Sequence, residues 1–370
     1  MLSSFLKMPH LTLEQKIGQL FFIGIPGPGV DDATRLLLET IEPGGVCLFA
    51  RNIREPQQTR DLLDAIRELS ALEPILSLDQ EGGLVDRLRR VLSPMPAANK
   101  LKTSEQAAEL ARIIAEATRI LGFNMDFAPV VDVVDEQRGM FSNGLHSRAF
   151  GSSKEEVVAS AGAFAEELHL GGVLSCLKHF PGLGASEVDS HEDLPQVAVS
   201  REELENIDLY PYKAIFAAAD IPAVMVAHAA YPEIDLQEKD QNGKLLPSSL
   251  SYNVVTDLLR HRLGFAGLAI TDDLEMGAIL RNYGIGEACK LAVNAGQDML
   301  AICASPDAIY EGHAAVLQAV RDGEITEERI DESVERIEKV RSRLQKPLQF
   351  EVSRLKTLTD EIHELNTQLN

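Results

Sequence analysis

The chain has 370 residues and a formal net charge of -22. It is long enough to bury a large core, and it lacks the clustered Lys and Arg that a nucleic-acid surface needs. Hydrophobic and charged fractions of 45% and 25% are those of a globular chain.

The first residues carry Lys7 but no sustained apolar core followed by a small-residue cleavage site. No stretch approaches the roughly 20 apolar residues that span a bilayer. The expectation is a cytoplasmic protein with neither a membrane nor a nucleic-acid partner. Thr12 to Gln15 reads as a capping box opening the first helix. Short apolar runs at 20–25, 45–49, 75–78, 125–134, 173–177, 223–226, 268–271 and 299–302 then alternate with segments of helical periodicity. Eight such runs predict an α/β fold, a (β/α)8 TIM-type barrel, with residues 1–345 as the barrel and 346–370 as a C-terminal helical extension.

Among the helices, Ser153 with Glu156 makes a capping box, and Val157, Ala161, Phe164 and Leu168 form one buried stripe. Thr326 caps another, with Ile330, Val334 and Ile337 inward and Glu335 and Lys339 outward. In the tail, Leu355, Leu358, Ile362, Leu365 and Leu369 alternate spacings of three and four. That stripe suits a helix packed on its own barrel, or else a dimerisation helix, so monomer and dimer both stay open. Cys47, Cys176, Cys289 and Cys303 lie scattered in apolar surroundings without paired short spacings, and they read as reduced, buried thiols.

Polar residues cluster where these strands end. Asp79-Gln-Glu-Gly-Gly83 follows the third run, Lys178-His-Phe-Pro-Gly182 with Asp189-Ser-His191 the fifth, Ala227-His228 the sixth, and Thr271-Asp-Asp273 the seventh. In a barrel such ends converge on one mouth. Asp272 follows a run with no charged residue between Arg262 and Thr271, which places a carboxylate at the floor of a pocket. Asp189 and His191 are close enough for the carboxylate to orient the imidazole and raise its basicity. A nucleophilic carboxylate opposite such a pair suffices to cleave a glycoside with retention. Each residue alone admits a plainer role: Asp272 as a helix cap, His191 and Lys178 as solvated side chains, His228 as a core histidine.

Taken together in order, Asp79-Gln-Glu-Gly-Gly83, Lys178-His-Phe-Pro-Gly-Leu-Gly184, Asp189-Ser-His191, Ala227-His228 and Leu263-Gly-Phe through Met276 resemble the family 3 glycoside hydrolases. More closely, they resemble the bacterial β-N-acetylhexosaminidases of cell-wall recycling. The resemblance implies Asp272 as nucleophile, His191 as general acid/base and Asp189 as its orienting partner. It further implies that Asp79, Arg87, Arg148, Lys178 and His179 hold the sugar hydroxyls, with a carbohydrate or muropeptide substrate and neither metal nor cofactor. Leu183 stands where the family usually has His, Leu84 where an Arg commonly follows Gly-Gly, and residues 140–147 depart from its usual approach to Arg148.

Alternatives within the family are a β-glucosidase and an enzyme that uses phosphate in place of water. Outside it stand a metal-dependent barrel hydrolase drawing ligands from His179, His191, His228 and Asp272, and a sugar-binding protein without catalysis.

Overall fold

A computed structural model describes residues 11–140, 144–186 and 194–369. Eight parallel strands make one sheet: β1 (Phe21–Gly24), β2 (Gly45–Cys47), β3 (Ile75–Leu78), β4 (Met125–Asp126), β5 (Leu174–Phe180), β6 (Ala223–Val226), β7 (Leu268–Thr271) and β8 (Leu300–Ile302). Neighbours pair in chain order, and β8 also pairs with β1, as in Phe21 opposite Leu300. A bridge between Ile270 and Met299 brings β7 to β8 and closes the barrel. Helical segments follow the strands, from Asp32–Ile41 after β1 to Pro306–Arg321 after β8.

Two of the predicted strands differ markedly in their bounds. Of 125–134 only Met125–Asp126 is strand; Pro129 supplies no amide hydrogen, and beyond Asp126 the chain stays beside β5 through the Ala128 and Pro129 carbonyls, which accept from the Cys176 and Lys178 amides, and the Val131 amide, which donates to the Lys178 carbonyl. β5 instead runs on through Lys178 and His179 to Phe180, so these two polar residues belong to the strand itself. The Lys178–His179 peptide is cis.

The capping boxes form at Thr12 with Gln15 and at Ser153 with Glu156, and the side chains of Asp31, Thr103, Ser305 and Thr326 cap further helices. Val157, Ala161, Phe164 and Leu168 are buried, as are Ile330, Val334 and Ile337, while Glu335 and Lys339 face solvent. All four cysteines are free and buried. At the N-terminal face of the barrel, the buried Asp298 accepts hydrogen bonds from Arg260, Arg336 and the Ala269 amide, tying β7 and β8 to the helix Glu327–Arg341. No helix of the described residues is long and apolar enough to cross a membrane.

The tail forms a helix, Val352–Gln368, whose stripe of Leu355, Leu358, Ile362 and Leu365 is buried against the helix Ser104–Leu121. Arg354 grips both oxygens of Glu116. Near its end, His363 Nε2 lies 2.8 Å from Ser93 Oγ, and Asn366 donates to the Pro94 carbonyl at 3.1 Å. Leu358 is fully buried, so Leu358→Ala is expected to lower unfolding free energy by about 2–4 kcal/mol in urea denaturation while leaving KM unchanged.

Candidate active site

The C-terminal ends of the strands surround a cavity of about 360 Å³. Asp79, Glu81, Arg87, Arg148, Lys178, His179 and Asp272 all line it, with Phe49, Val85, Phe127, Leu145 and Leu183 among its apolar walls.

β5 delivers the Lys178 ammonium to a position only 2% exposed. Such burial is costly unless the charge is paired and hydrogen-bonded, and two carboxylates meet it. Asp79 Oδ1, just past β3, lies 2.8 Å from Nζ, and Glu81 Oε1 lies 2.6 Å away. Glu81 sits on a small hairpin, Gln80–Gly82 with Val85–Asp86, where Gly82 at φ +86° packs against the Pro96 carbonyl with no room for a side chain. Its carboxylate also receives a two-pronged grip from Arg148, with Nε at 2.7 Å and Nη2 at 2.9 Å.

Burial alone would raise both acids. The Arg148 and Lys178 charges overcome it and hold Glu81 well below the usual carboxylate range, and Lys178 with Arg87 does the same for Asp79. Both therefore stay anionic, and Lys178 stays protonated because the same two carboxylates outweigh its desolvation. Behind them the fully buried Asp126 has its carboxyl pushed well above the ordinary range by burial.

His179 is oriented from behind. Its Nδ1 lies 2.8 Å from Asp132 Oδ2, and a carboxylate only accepts, so Nδ1 carries the proton and Nε2 is an acceptor. Arg148 Nη2 approaches that nitrogen at 3.3 Å. The other Asp132 oxygen accepts from the Leu183 amide at 2.7 Å and so fixes the turn after β5. Gly182 and Gly184 are close-packing positions: a Cβ would meet Asp208 Cβ at 2.6 Å and the Val133 carbonyl oxygen at 2.0 Å. The Tyr231 hydroxyl donates to the Gly182 carbonyl as well.

Across the cavity, Asp272 follows β7 directly. Its amide donates to the Val226 carbonyl at 3.1 Å, and its Oδ1 accepts from the Asp273 amide at 2.8 Å. Asp273 Oδ1 accepts from the amides of Glu275 and Cys303, and burial pushes the Asp273 carboxyl up to about 7.

Thus Asp79, Arg87, Arg148, Lys178, His179 and Asp272 are brought together from positions spread over most of the chain. Asp189 and His191 lie outside the described residues. Glu81 and Asp132 are the partners that sequence reasoning missed. Glu81 stands inside the motif Asp79-Gln-Glu-Gly-Gly83, and Asp132 is an acid within the apolar run 125–134 that reads as one strand. Leu183 is buried in the cavity wall, and Leu84 is exposed at the hairpin turn. Both ring nitrogens of His179 and of His228 are already engaged by protein groups. Among the described residues, no three His, Cys, Asp or Glu converge as a metal cage.

The sequence matches the family model described as the glycosyl hydrolase family 3 N terminal domain over residues 12–340. It is 36% identical over 290 residues to a beta-hexosaminidase of Pseudomonas aeruginosa, covering 76% of this chain and 81% of that protein. A beta-hexosaminidase of Tolumonas auensis is 35% identical over 286 residues, with the same shares. A family 3 beta-N-acetylglucosaminidase from Paenibacillus sp. str. FPU-7 superposes with a TM-score of 0.85 at 34% identity, covering 96% of this chain and 69% of that one. A beta-N-acetylhexosaminidase from Beutenbergia cavernae gives 0.78 at 26% identity, over 90% and 99%.

Two outcomes follow from the charge arrangement. Glu81→Gln leaves Lys178 and Arg148 short of a carboxylate in a buried site, and is expected to cost about 3–5 kcal/mol of stability and to raise KM about tenfold or more, read by denaturation and steady-state kinetics. Asp273 keeps in the folded state a proton that the unfolded chain releases near pH 3.8. The stability tied to that proton is complete below that pH and is lost as pH rises to about 7. In urea titrations at pH 5 and pH 7.5, Asp273→Asn is expected to show a smaller decline between the two than the parent protein.

Proposed function

We propose that this chain, which belongs to glycoside hydrolase family 3, releases terminal β-linked N-acetylglucosamine by double displacement with retention, peptidoglycan fragments being the substrate class. The observation that carries this reading is the Asp272 carboxylate, at the end of β7, sharing one cavity with the buried Lys178, Glu81 and His179 and the half-buried Asp79 and Arg148. The beta-hexosaminidase and beta-N-acetylglucosaminidase relatives support it.

A sugar ring presents hydroxyls that both donate and accept, and a buried pocket that leaves either kind unpaired loses affinity. Asp79 offers a carboxylate acceptor. Lys178 has three N–H bonds and spends two on Asp79 and Glu81, which leaves one for an oxygen of the sugar. Arg87 and Arg148 add further donors, Arg148 being held in place by His179 Nε2, which faces its Nη2 at 3.3 Å. Because most of these groups are held by one another before substrate arrives, little reorganisation is left for binding.

Asp272 is the nucleophile in this reading. With Oδ1 occupied by the Asp273 amide, Oδ2 attacks the anomeric carbon while protonated His191, oriented by Asp189, donates to the departing oxygen. The glycosyl ester is then hydrolysed as neutral His191 takes a proton from water. Phosphate in place of water is the alternative acceptor, and glucose in place of N-acetylglucosamine the alternative sugar.

Asp272→Asn is expected to lower kcat on an aryl N-acetylglucosaminide by roughly 10³-fold or more, with the fold retained. Release from aryl N-acetylglucosaminide and aryl glucoside, each with and without phosphate, decides sugar and acceptor together. Turnover of neither glycoside by a folded parent protein that still binds N-acetylglucosamine would make it a sugar-binding protein.

A further inference from the structure

His228 follows β6, is completely buried and does not line the cavity. Neither the grip on the sugar nor the displacement chemistry uses it. Its ring nevertheless meets the segment that carries the nucleophile: Nε2 lies 3.0 Å from the Asp273 carbonyl oxygen, and Nδ1 lies 2.7 Å from Ser249 Oγ. A carbonyl only accepts, so Nε2 carries the proton, and Nδ1 accepts from the Ser249 hydroxyl. One tautomer satisfies both contacts.

The end of β6 therefore holds the Asp272–Asp273 dipeptide at two places. The Val226 carbonyl accepts from the Asp272 amide at 3.1 Å, and His228 donates to the Asp273 carbonyl. Between these two anchors lies the Asp273 amide that occupies Asp272 Oδ1. With both flanks fixed, the direction of that N–H is fixed, and so is the oxygen left facing the cavity.

We infer that His228 is a positioning residue for the nucleophile: its Nε2–H sets the turn after β7 so that the Asp273 amide occupies one oxygen of Asp272 and leaves the other aimed at the anomeric carbon. The inference rests on the reading of Asp272 as nucleophile. It differs from a packing role in what it predicts, because losing the turn misaims an attacking atom without touching the sugar's hydroxyl partners. A displacement of about 1 Å at a reacting atom costs about 10²-fold in rate.

The test compares His228→Gln, which can keep an N–H toward the Asp273 carbonyl, with His228→Leu, which cannot, on an aryl N-acetylglucosaminide. In His228→Leu, kcat is expected to fall about 10²-fold while KM and the inhibition constant of free N-acetylglucosamine stay within about threefold, and His228→Gln recovers most of the loss. Ser249→Ala, which removes the hydroxyl that selects the tautomer, should lower kcat less and likewise spare KM. It serves as the second variant if His228→Leu fails to fold. Equal losses in the Gln and Leu variants, a rise in KM that matches the fall in kcat, or undiminished kcat in a folded Leu or Ser249→Ala variant would each overturn the inference. A separate arm uses Asp272→Gly with azide. Rescue giving the α-glycosyl azide supports Asp272 as nucleophile, and absence of rescue removes that reading whatever the His228 series shows.

Discussion

A single ammonium group, that of Lys178, is almost wholly buried, and much of the site is arranged around that fact. Its two carboxylates come from the turn after β3 and from the hairpin that follows. Glu81 in turn needs Arg148, Arg148 reaches His179, and His179 leans on Asp132 beyond β4. Two carboxylates, Asp79 and Glu81, meet three cations, Arg87, Arg148 and Lys178, while Asp132 holds the His179 ring. An interlocked array of this kind holds its geometry because its buried members would be costly to leave unpaired.

This arrangement divides labour between separate parts of the chain. Lys178 and His179 stand on β5 and Glu81 on the hairpin Gln80–Gly82 with Val85–Asp86, whereas the proposed proton-transfer pair belongs to the segment beyond Ser186. The turn into that segment is itself anchored, by Asp132 to the Leu183 amide and by Tyr231 to the Gly182 carbonyl.

The barrel was legible in the sequence because strand and helix alternate with different periodicities, and because capping residues such as Ser153 and Thr326 mark where helices begin. The strand bounds were less so. The run 125–134 is apolar enough to pass for one long strand, and only the proline at 129 hints that the regular strand ends early. Asp79, Lys178 and Asp272 could be nominated because polar residues directly after apolar runs are conspicuous. Asp132 could not, since an acid amid valines looks the same whether it orients an imidazole or faces solvent. Glu81 was hidden differently: pairing between residues nearly a hundred positions apart depends on three-dimensional proximity that no local pattern encodes.

The C-terminal helix reaches further into the molecule than its place in the chain suggests. His363 and Asn366 touch Ser93 and Pro94, and the stretch just beyond, Met95 to Ala97, braces the hairpin that presents Glu81 and leads to Arg87. The last turn of this helix is thus linked through residues 93–97 to the hairpin that presents Glu81, although it lines no part of the cavity. For anyone immobilising this enzyme, a tether placed on the helix Val352–Gln368 pulls on the strut beneath one of the two carboxylates that pair with Lys178, so a flexible spacer belongs there.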